Sequence, residues 1–352
     1  MRLIVTAMKN EGPFILEWAA FHLSIGFDGF LVYTNDCEDG TDAIWTRLSE
    51  MGFGAHEVND QIKARGVQKT ALMRADDHPL TKQAEWLSCL DCDEFLNIKT
   101  GEGALDDLLG GAPDADLHMI AWRRFGASGV AAFRDAPVTE QFTHAAPEVC
   151  PYPFHNYGAK SVWRANGPFE RIGVHRPLEP TGDVSVVNGE AQALAGYEEK
   201  RLWLTPNNAG YAGAQVNHYS LRSAQSYLVK CARGLPNSKI TDLDLGYWAE
   251  RNFNQVEDTS IARRLPAMKE KLAELKSDPV LADLHDEAVQ WHRGKIRTLL
   301  SEREPLKLFL RIITTETSVL SGLGARQLNP LIARSWEMDR AHRKGAKREK
   351  DR

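Results

Sequence analysis

Cysteine is scarce in this 352-residue chain, which holds only Cys37, Cys89, Cys92, Cys150 and Cys231. So few, and an odd number, exclude a disulfide framework and fit reduced thiols in a cytosolic protein. Cys89 and Cys92 form a C-x-x-C, but no second pair or histidine ladder accompanies it, so it reads as two small residues at a strand end. Long apolar runs are also missing. None approaches the roughly 18 residues of a membrane span, and the uncharged stretch between Arg2 and Lys9 is too short for a secretory signal. Nor is there an excess of positive charge: 43 Lys and Arg against 48 Asp and Glu give a formal net charge of −5. That balance supplies no global basic field for nucleic acid or an anionic membrane. The expectation is a soluble, cytoplasmic protein without a nucleic-acid partner, whose function must be argued from local sites.

What is present is an alternation of strand and helix patterns. Residues 2–8 (RLIVTAM) form a β-branched apolar run that stops at Lys9-Asn10-Glu11-Gly12-Pro13, the pattern of a buried parallel strand and its loop. Residues 14–26 place apolar side chains at helical spacing and end on Gly26, a plausible C-terminal cap. A second strand is expected over 27–36 and a second helix over 39–52, capped by Thr41 or Asp42. A third strand follows at 53–58, a third helix from 67, and a single fourth strand over 84–96. This rhythm predicts an α/β fold with a doubly wound sheet flanked by helices. Beyond residue 118 the texture becomes short strands among Gly and Pro. After residue 236 it becomes helical, with Leu281, Leu284, Ala288, Trp291 and Leu299 as a stripe behind Pro279. The expected division is 1–235 as the α/β domain, 236–335 as a helical C-terminal region, and 336–352 as a basic tail. From Arg340 to Arg352 that tail holds seven Lys or Arg against two acids. It reads as a solvated end, with peripheral contact at an inner-membrane surface as the sharper alternative.

In an open parallel sheet, ligands bind outside the carboxyl ends of the strands. Each expected strand here ends in polar residues: Asn10 and Glu11, then Asn35 and Asp36, then Asp91, Asp93 and Glu94. Asp91 and Asp93 are two apart, so an extended backbone would project both to one side, where they repel unless a cation lies between them. Oxygen ligands of this kind suit Mg²⁺ or Mn²⁺, which keep open positions for phosphate oxygens.

At this point the residues resemble the nucleotide-sugar glycosyltransferases of the GT-A fold, and within them the family 2-like and family 92-like group. The ordered landmarks are Asn10-Glu11, Glu17-Trp18 with His22, NDCEDGT at 35–41, DCDEF at 91–95 and WRRFGASG at 122–129. KSVWR from Lys160, Val174-His175, and NHYSLRSAQSYLVKCARG at 217–234 follow, the last with Arg222 in place of the group's Lys and Tyr227 in place of its Phe.

The resemblance implies a GT-A type doubly wound mixed sheet, with residues 1–235 as a nucleotide-sugar-binding catalytic domain. It also implies a metal-dependent transferase moving a sugar from a nucleotide diphosphate sugar, most often a UDP-sugar, to a glycan or lipid-linked hydroxyl, with inversion. Asn10, Glu11, Asn35 and Asp36 would lie near base and ribose, while Asp91 and Asp93 would hold Mn²⁺ or Mg²⁺ with His218 as third ligand. Lys160, Arg164 and Lys230 would add to the diphosphate clamp. Trp122, Phe125 and His175 would contact sugar or acceptor, and Glu94 would either do the same or point away from the metal and support its ligands. Glu257 and Asp258 would supply the base, although an acid pair before a helix also serves the helix dipole. Two other readings compete. A nucleotidyltransferase would need a Gly-rich basic loop after the first strand, which TAMKNEGPF lacks, and a non-catalytic sugar- or nucleotide-binding module would give the retained acids no purpose.

Overall fold

The computed structural model describes residues 1–60, 66–150, 158–195, 204–234 and 244–315. The expected domain boundary at 235–236 and the basic tail lie outside them. The strands are β1 (Arg2–Met8), β2 (Gly29–Thr34), β3 (Gly54–Val58), β4 (Trp86–Cys89), β5 (Glu94–Ile98), β6 (Leu117–Arg124) and β7 (His144–Ala145), followed by β8 (Ala159–Arg164), β9 (Phe169–Arg171), β10 (Leu178–Pro180), β11 (Val186–Asn188), β12 (Ala214–His218) and β13 (Val256–Glu257). The α-helices are α1 (Gly12–Ser24), α2 (Thr41–Glu50), α3 (Val67–Ala75), α4 (Pro79–Gln83), α5 (Leu105–Gly110) and α6 (Val138–Gln141), then α7 (Ala224–Arg233), α8 (Leu245–Ala249), α9 (Leu265–Lys276), α10 (Pro279–Ser301) and α11 (Arg303–Ile313).

The main sheet runs β3-β2-β1-β4-β8-β6-β12-β5, with β11 also paired to β6. β1 to β4 are mutually parallel, and antiparallel pairings at β8 and β5 make the sheet mixed. The α/β class and the helical character of residues 244–315 are as expected from the sequence. Along β1 the side chains alternate: Ile4 joins one core with α1, α2 and α10, and Leu3 and Val5 join the other with α3. Both sheet faces are covered, which is why these strands read as continuous apolar runs. The C-terminal helices belong to that cover: Met268, Leu275, Leu281 and Ala288 are fully buried in the α1-side core. α1 and α10 approach so closely that a Cβ on Gly12 would lie 2.6 Å from that of Ala288.

Three local expectations are corrected. The stretch 84–96 is two strands: β4 pairs with β1 and β8, whereas β5 pairs with β12, and residues 90–93 carry the chain between them. Asp91 and Asp93 therefore occupy a turn, closed by Glu94 N–H donating to the Asp91 carbonyl at 3.0 Å, and not an extended segment with one shared face. The second helix starts at Thr41 behind Gly40, whose φ of +82° suits glycine, so neither Thr41 nor Asp42 is the cap. The third helix stops at Ala75 and resumes as the short α4.

His22 lies on the buried face of α1 with Nδ1 donating to the Trp18 carbonyl at 2.9 Å, stacked on Phe95. Burial pushes His22 and His292 down to about 3 from an ordinary 6.5. Below pH ~6.5 the unfolded chain binds protons that the folded chain refuses, so stability is lost as pH falls toward ~3, by up to about 1.4 kcal/mol per pH unit per histidine. We expect the thermal midpoint to drop between pH 6.5 and 4.5, and His22→Gln to flatten that slope. An unchanged slope in the variant would remove His22 from the account.

Candidate active site

One rim of the sheet gathers the functional groups. β1, β2, β4, β6 and β12 end there, and the antiparallel β5 and β8 begin there. Two of the residues that leave it, Asn10 after β1 and Asp36 after β2, hold φ of +51° and +45°. Asn and Asp are among the few non-glycine types that tolerate this backbone, which often marks functional turns. The following segment locks α1 in place. Asp39 accepts from the N–H groups of Gly12 at 2.7 Å and Thr41 at 3.0 Å, and Thr41 Oγ1 accepts from Glu11 N–H at 2.8 Å.

Beneath this rim opens a cavity of about 530 Å³, walled by Glu11, Asn35, Asp36, Gln68, Asp91 and Asp93 on one part and by Trp122, His175, His218, Lys230, Arg233 and Tyr247 on another. A small annex of about 20 Å³ adds Asn10 and Arg222. Volume and chemistry suit a ligand with an aromatic or sugar ring and negative charge.

The charges form paired sets. Lys230 Nζ lies 2.9 Å from Asp93 Oδ2, and His218 Nε2 lies 3.6 Å from Asp93 Oδ1. Burial would raise the Asp93 carboxyl, but Lys230, His218 and Arg222 prevail and hold it far below the carboxylate range. Glu11 is bracketed by Arg222, at 2.7 Å, and Arg233; burial is again outweighed and its pKa lowered. Arg222 also donates to the Cys92 carbonyl at 3.1 Å, and Tyr219 N–H to the Asp93 carbonyl at 2.8 Å, so the 90–93 turn is fixed from β12 and the α7 approach. Asp91 accepts from Lys160 at 3.0 Å and Gln68 at 3.2 Å.

Glu94, expected to touch sugar, is wholly buried behind the wall. Its carboxylate accepts from Asp91 N–H at 2.8 Å and Trp122 Nε1–H at 2.8 Å and pairs with Lys160 at 3.1 Å. Burial pushes Glu94 upward to about 8, while these three donors favour its ionised form. It orients Asp91, Trp122 and Lys160 instead of meeting a ligand. Lys160 is likewise buried and acts through Asp91. Trp122 packs between His175, at 5.3 Å, and His218, at 4.8 Å, and His175 Nδ1 donates to the Ala159 carbonyl at 3.1 Å.

Several expected site residues lie elsewhere. Arg164 pairs with Trp86 at the opposite rim and stacks over that indole at 4.5 Å while donating to the Ala115 carbonyl, so it cannot clamp a diphosphate here. Phe125 is fully buried against Tyr219, a core residue and not a sugar contact. Glu257 sits on β13, and Asp258 caps the next turn: it accepts from Ser260 N–H at 3.0 Å, Ser260 Oγ–H at 2.6 Å and Gln215 Nε2–H at 2.9 Å. Neither lines the cavity. Sequence reasoning missed Gln68, Arg222, Arg233 and Tyr247 as cavity or charge partners; the Lys-x-x-Arg-Gly ending of the 217–234 block was the available signal for Arg233.

The donor set of Asp91, Asp93 and His218 is suited to Mn²⁺ or Mg²⁺. His218 adds an observation: its Nδ1 is buried without a hydrogen-bond partner. Among the described residues, however, the three metal-ligating side chains whose donor atoms all lie within 4.8 Å of one another are Asp135, His285 and Asp286. In the site itself, Lys160 and Lys230 balance the carboxylates.

No family model matches the chain. It is 27% identical over 161 residues to a curated glycosyltransferase family 92 protein of Ricinus communis, covering 40% of this chain and 25% of that one. It is also 27% identical over 156 residues to one of Oryza sativa subsp. japonica, covering 41% and 25%. The chain thus spans about a quarter of the length of these relatives. Among solved structures, S. aureus TarS 1-349 aligns at 12% identity and TM-score 0.33, covering 89% of this chain and 88% of that one. The same protein in complex with UDP aligns at 13% and 0.31, covering 85% and 91%. The group read from the ordered landmarks and the name carried by the curated relatives coincide: this chain is similar to glycosyltransferase family 92 proteins.

Proposed function

We propose that this chain is a glycosyltransferase whose rim cavity takes a nucleoside diphosphate sugar, with UDP as the favoured nucleotide, and passes the sugar to a hydroxyl of a glycan or lipid-linked acceptor. The observation that carries the reading is the cavity itself. Asp91 and Asp93, on a turn pinned from three sides, share its wall with Lys230 and Arg233, so cation-binding oxygens and phosphate-binding nitrogens face one space. A diphosphate leaving group gains charge as the glycosidic bond breaks, and fixed cations at that point favour the transition state over the ground state. Asp91, Asp93 and His218 would hold Mn²⁺ or Mg²⁺, which would add Lewis-acid neutralisation of the phosphates.

The chain's own residues divide the remaining work. Asn35, Asp36 and Gln68 line the part of the cavity next to β1 and β2, where hydrogen-bonding groups can recognise base and ribose. Trp122, braced by Glu94, offers a ring face on the sugar side. An inverting displacement needs a base at the cavity wall. Glu11, Asp91 and Asp93 are committed to cations there, which leaves the exposed Asp36 carboxylate, 3.7 Å from Lys9, as the acid on that wall with a free face.

The test is release of nucleoside diphosphate from a panel of UDP-sugars with Mn²⁺ and a mixed acceptor pool. Metal-stimulated release is expected. No turnover together with no nucleotide binding would sink the reading.

A further inference from the structure

α11 carries two parallel rows of side chains. Leu306, Leu310 and Ile313 stand at i, i+4 and i+7 and are 39%, 53% and 45% exposed. Arg303, Lys307 and Arg311 stand at i, i+4 and i+8 beside them, all exposed. Helical spacing puts each row on one stripe, and the two stripes adjoin. The opposite side of α11 is spoken for: Ile312 is buried, and Leu308 and Phe309 pack with α7, α8 and α10. Elsewhere among the described residues the exposed large apolar side chains (Met1, Val58, Val149, Leu178, Val256 and Val280) are scattered one to a segment. A contiguous row on one helix is therefore a feature of this surface. At Ile313 the apolar surface turns inward, into a second cavity of about 450 Å³ walled partly by Val130, Ala131, Trp248 and Ile312.

We propose that α11 is a docking element for an anionic lipid surface, with Leu306, Leu310 and Ile313 entering the acyl boundary and Lys307 and Arg311 meeting headgroup phosphates, while Arg303 at the start of the row is paired with Glu304 at 3.5 Å. Charge decides between occupants. Lys307 and Arg311 make no ion pair with any described residue, and they stand exposed on a protein whose net charge is −5. Apolar and cationic rows side by side match an interface with phosphate above hydrocarbon, and binding to protein-free vesicles separates that occupant from an acidic protein groove. The proposal does not depend on the transfer reaction, and its test does not read activity.

The full chain is co-sedimented with vesicles of phosphatidylcholine, and with vesicles containing about one-third phosphatidylglycerol. Binding is expected only to the anionic vesicles, and it should weaken with salt. Both L306N/L310N and K307E/R311E should lower the bound fraction about tenfold or more, with unchanged thermal midpoints because the four positions are exposed. The proposal is overturned if the wild type ignores anionic vesicles, or if both variants bind like wild type, since another part of the chain would then carry the contact. It is equally overturned if light scattering shows a dimer that L306N/L310N converts to monomer.

Discussion

Asp93→Asn is expected to lower donor turnover by about 10²- to 10³-fold, the loss typical when one fixed charge-stabilising group is removed from a preorganised site. Two effects combine. The variant removes a cation-binding oxygen from the cavity wall, and it strips Lys230 of its partner 2.9 Å away. A buried ammonium without a carboxylate costs stability as well, on the order of 3–5 kcal/mol. The double variant Asp93→Asn with Lys230→Gln separates the two contributions. Its thermal midpoint should recover most of the loss, because no buried charge is then left unpaired, while turnover should stay at the level of the single variant. If the double variant regained turnover, Asp93 would be a structural partner of Lys230 and nothing more. Steady-state nucleotide release and differential scanning of the same samples make the comparison.

Glu11→Ala should be the most destabilising single change at the rim. Its carboxylate is the shared partner of Arg222 and Arg233, at sequence separations of 211 and 222 residues, and is therefore what ties the start of α1 to α7. Removing it leaves two buried guanidiniums facing one another. The expected cost is at least the roughly 3–5 kcal/mol of a broken buried pair, a fall in thermal midpoint of roughly 4–7 °C for a chain of this size. Glu11→Gln should cost less, because the amide oxygen still accepts one hydrogen bond. Adding Arg222→Met to Glu11→Ala should recover part of the loss, since the guanidinium then no longer needs a counter-charge. A midpoint within about 1 °C of wild type for Glu11→Ala would show that the knot contributes nothing net.

The parts of this fold that were legible in the sequence are those governed by local pattern. The apolar runs of β1 and β2, the Gly26 stop after α1 and the start of α10 near Pro279 are all read from spacing and from Gly and Pro signals. The polar clusters after the strands were legible for the same reason, and Asn10, Glu11, Asn35, Asp36, Asp91 and Asp93 gather at one rim with Trp122, His175, His218 and Lys230, which only the family resemblance had supplied. What failed depends on who neighbours whom. Period-2 alternation cannot reveal that the chain changes partners between Cys89 and Glu94, because β4 and β5 are both apolar and only their pairing differs. Arg164 was misplaced because β8 runs antiparallel, so its first residues reach the rim with Lys160 and its last lies a strand length away. Phe125 and Asp258 sit beside motif residues but point into packing and a cap. The Glu11–Arg222–Arg233 set joins segments more than 200 residues apart, beyond the reach of any local window.

The central claim is that this rim cavity binds a nucleoside diphosphate between the Asp91–Asp93 turn and the Lys230–Arg233 side of α7. Calorimetric titration of UDP into the full chain, with Mn²⁺ and then with a chelator, tests it most directly. The expected result is saturable one-site binding that weakens on chelation and is lost in Asp93→Asn. No saturable binding in the presence of Mn²⁺, or an affinity the same in wild type and Asp93→Asn, would contradict the account.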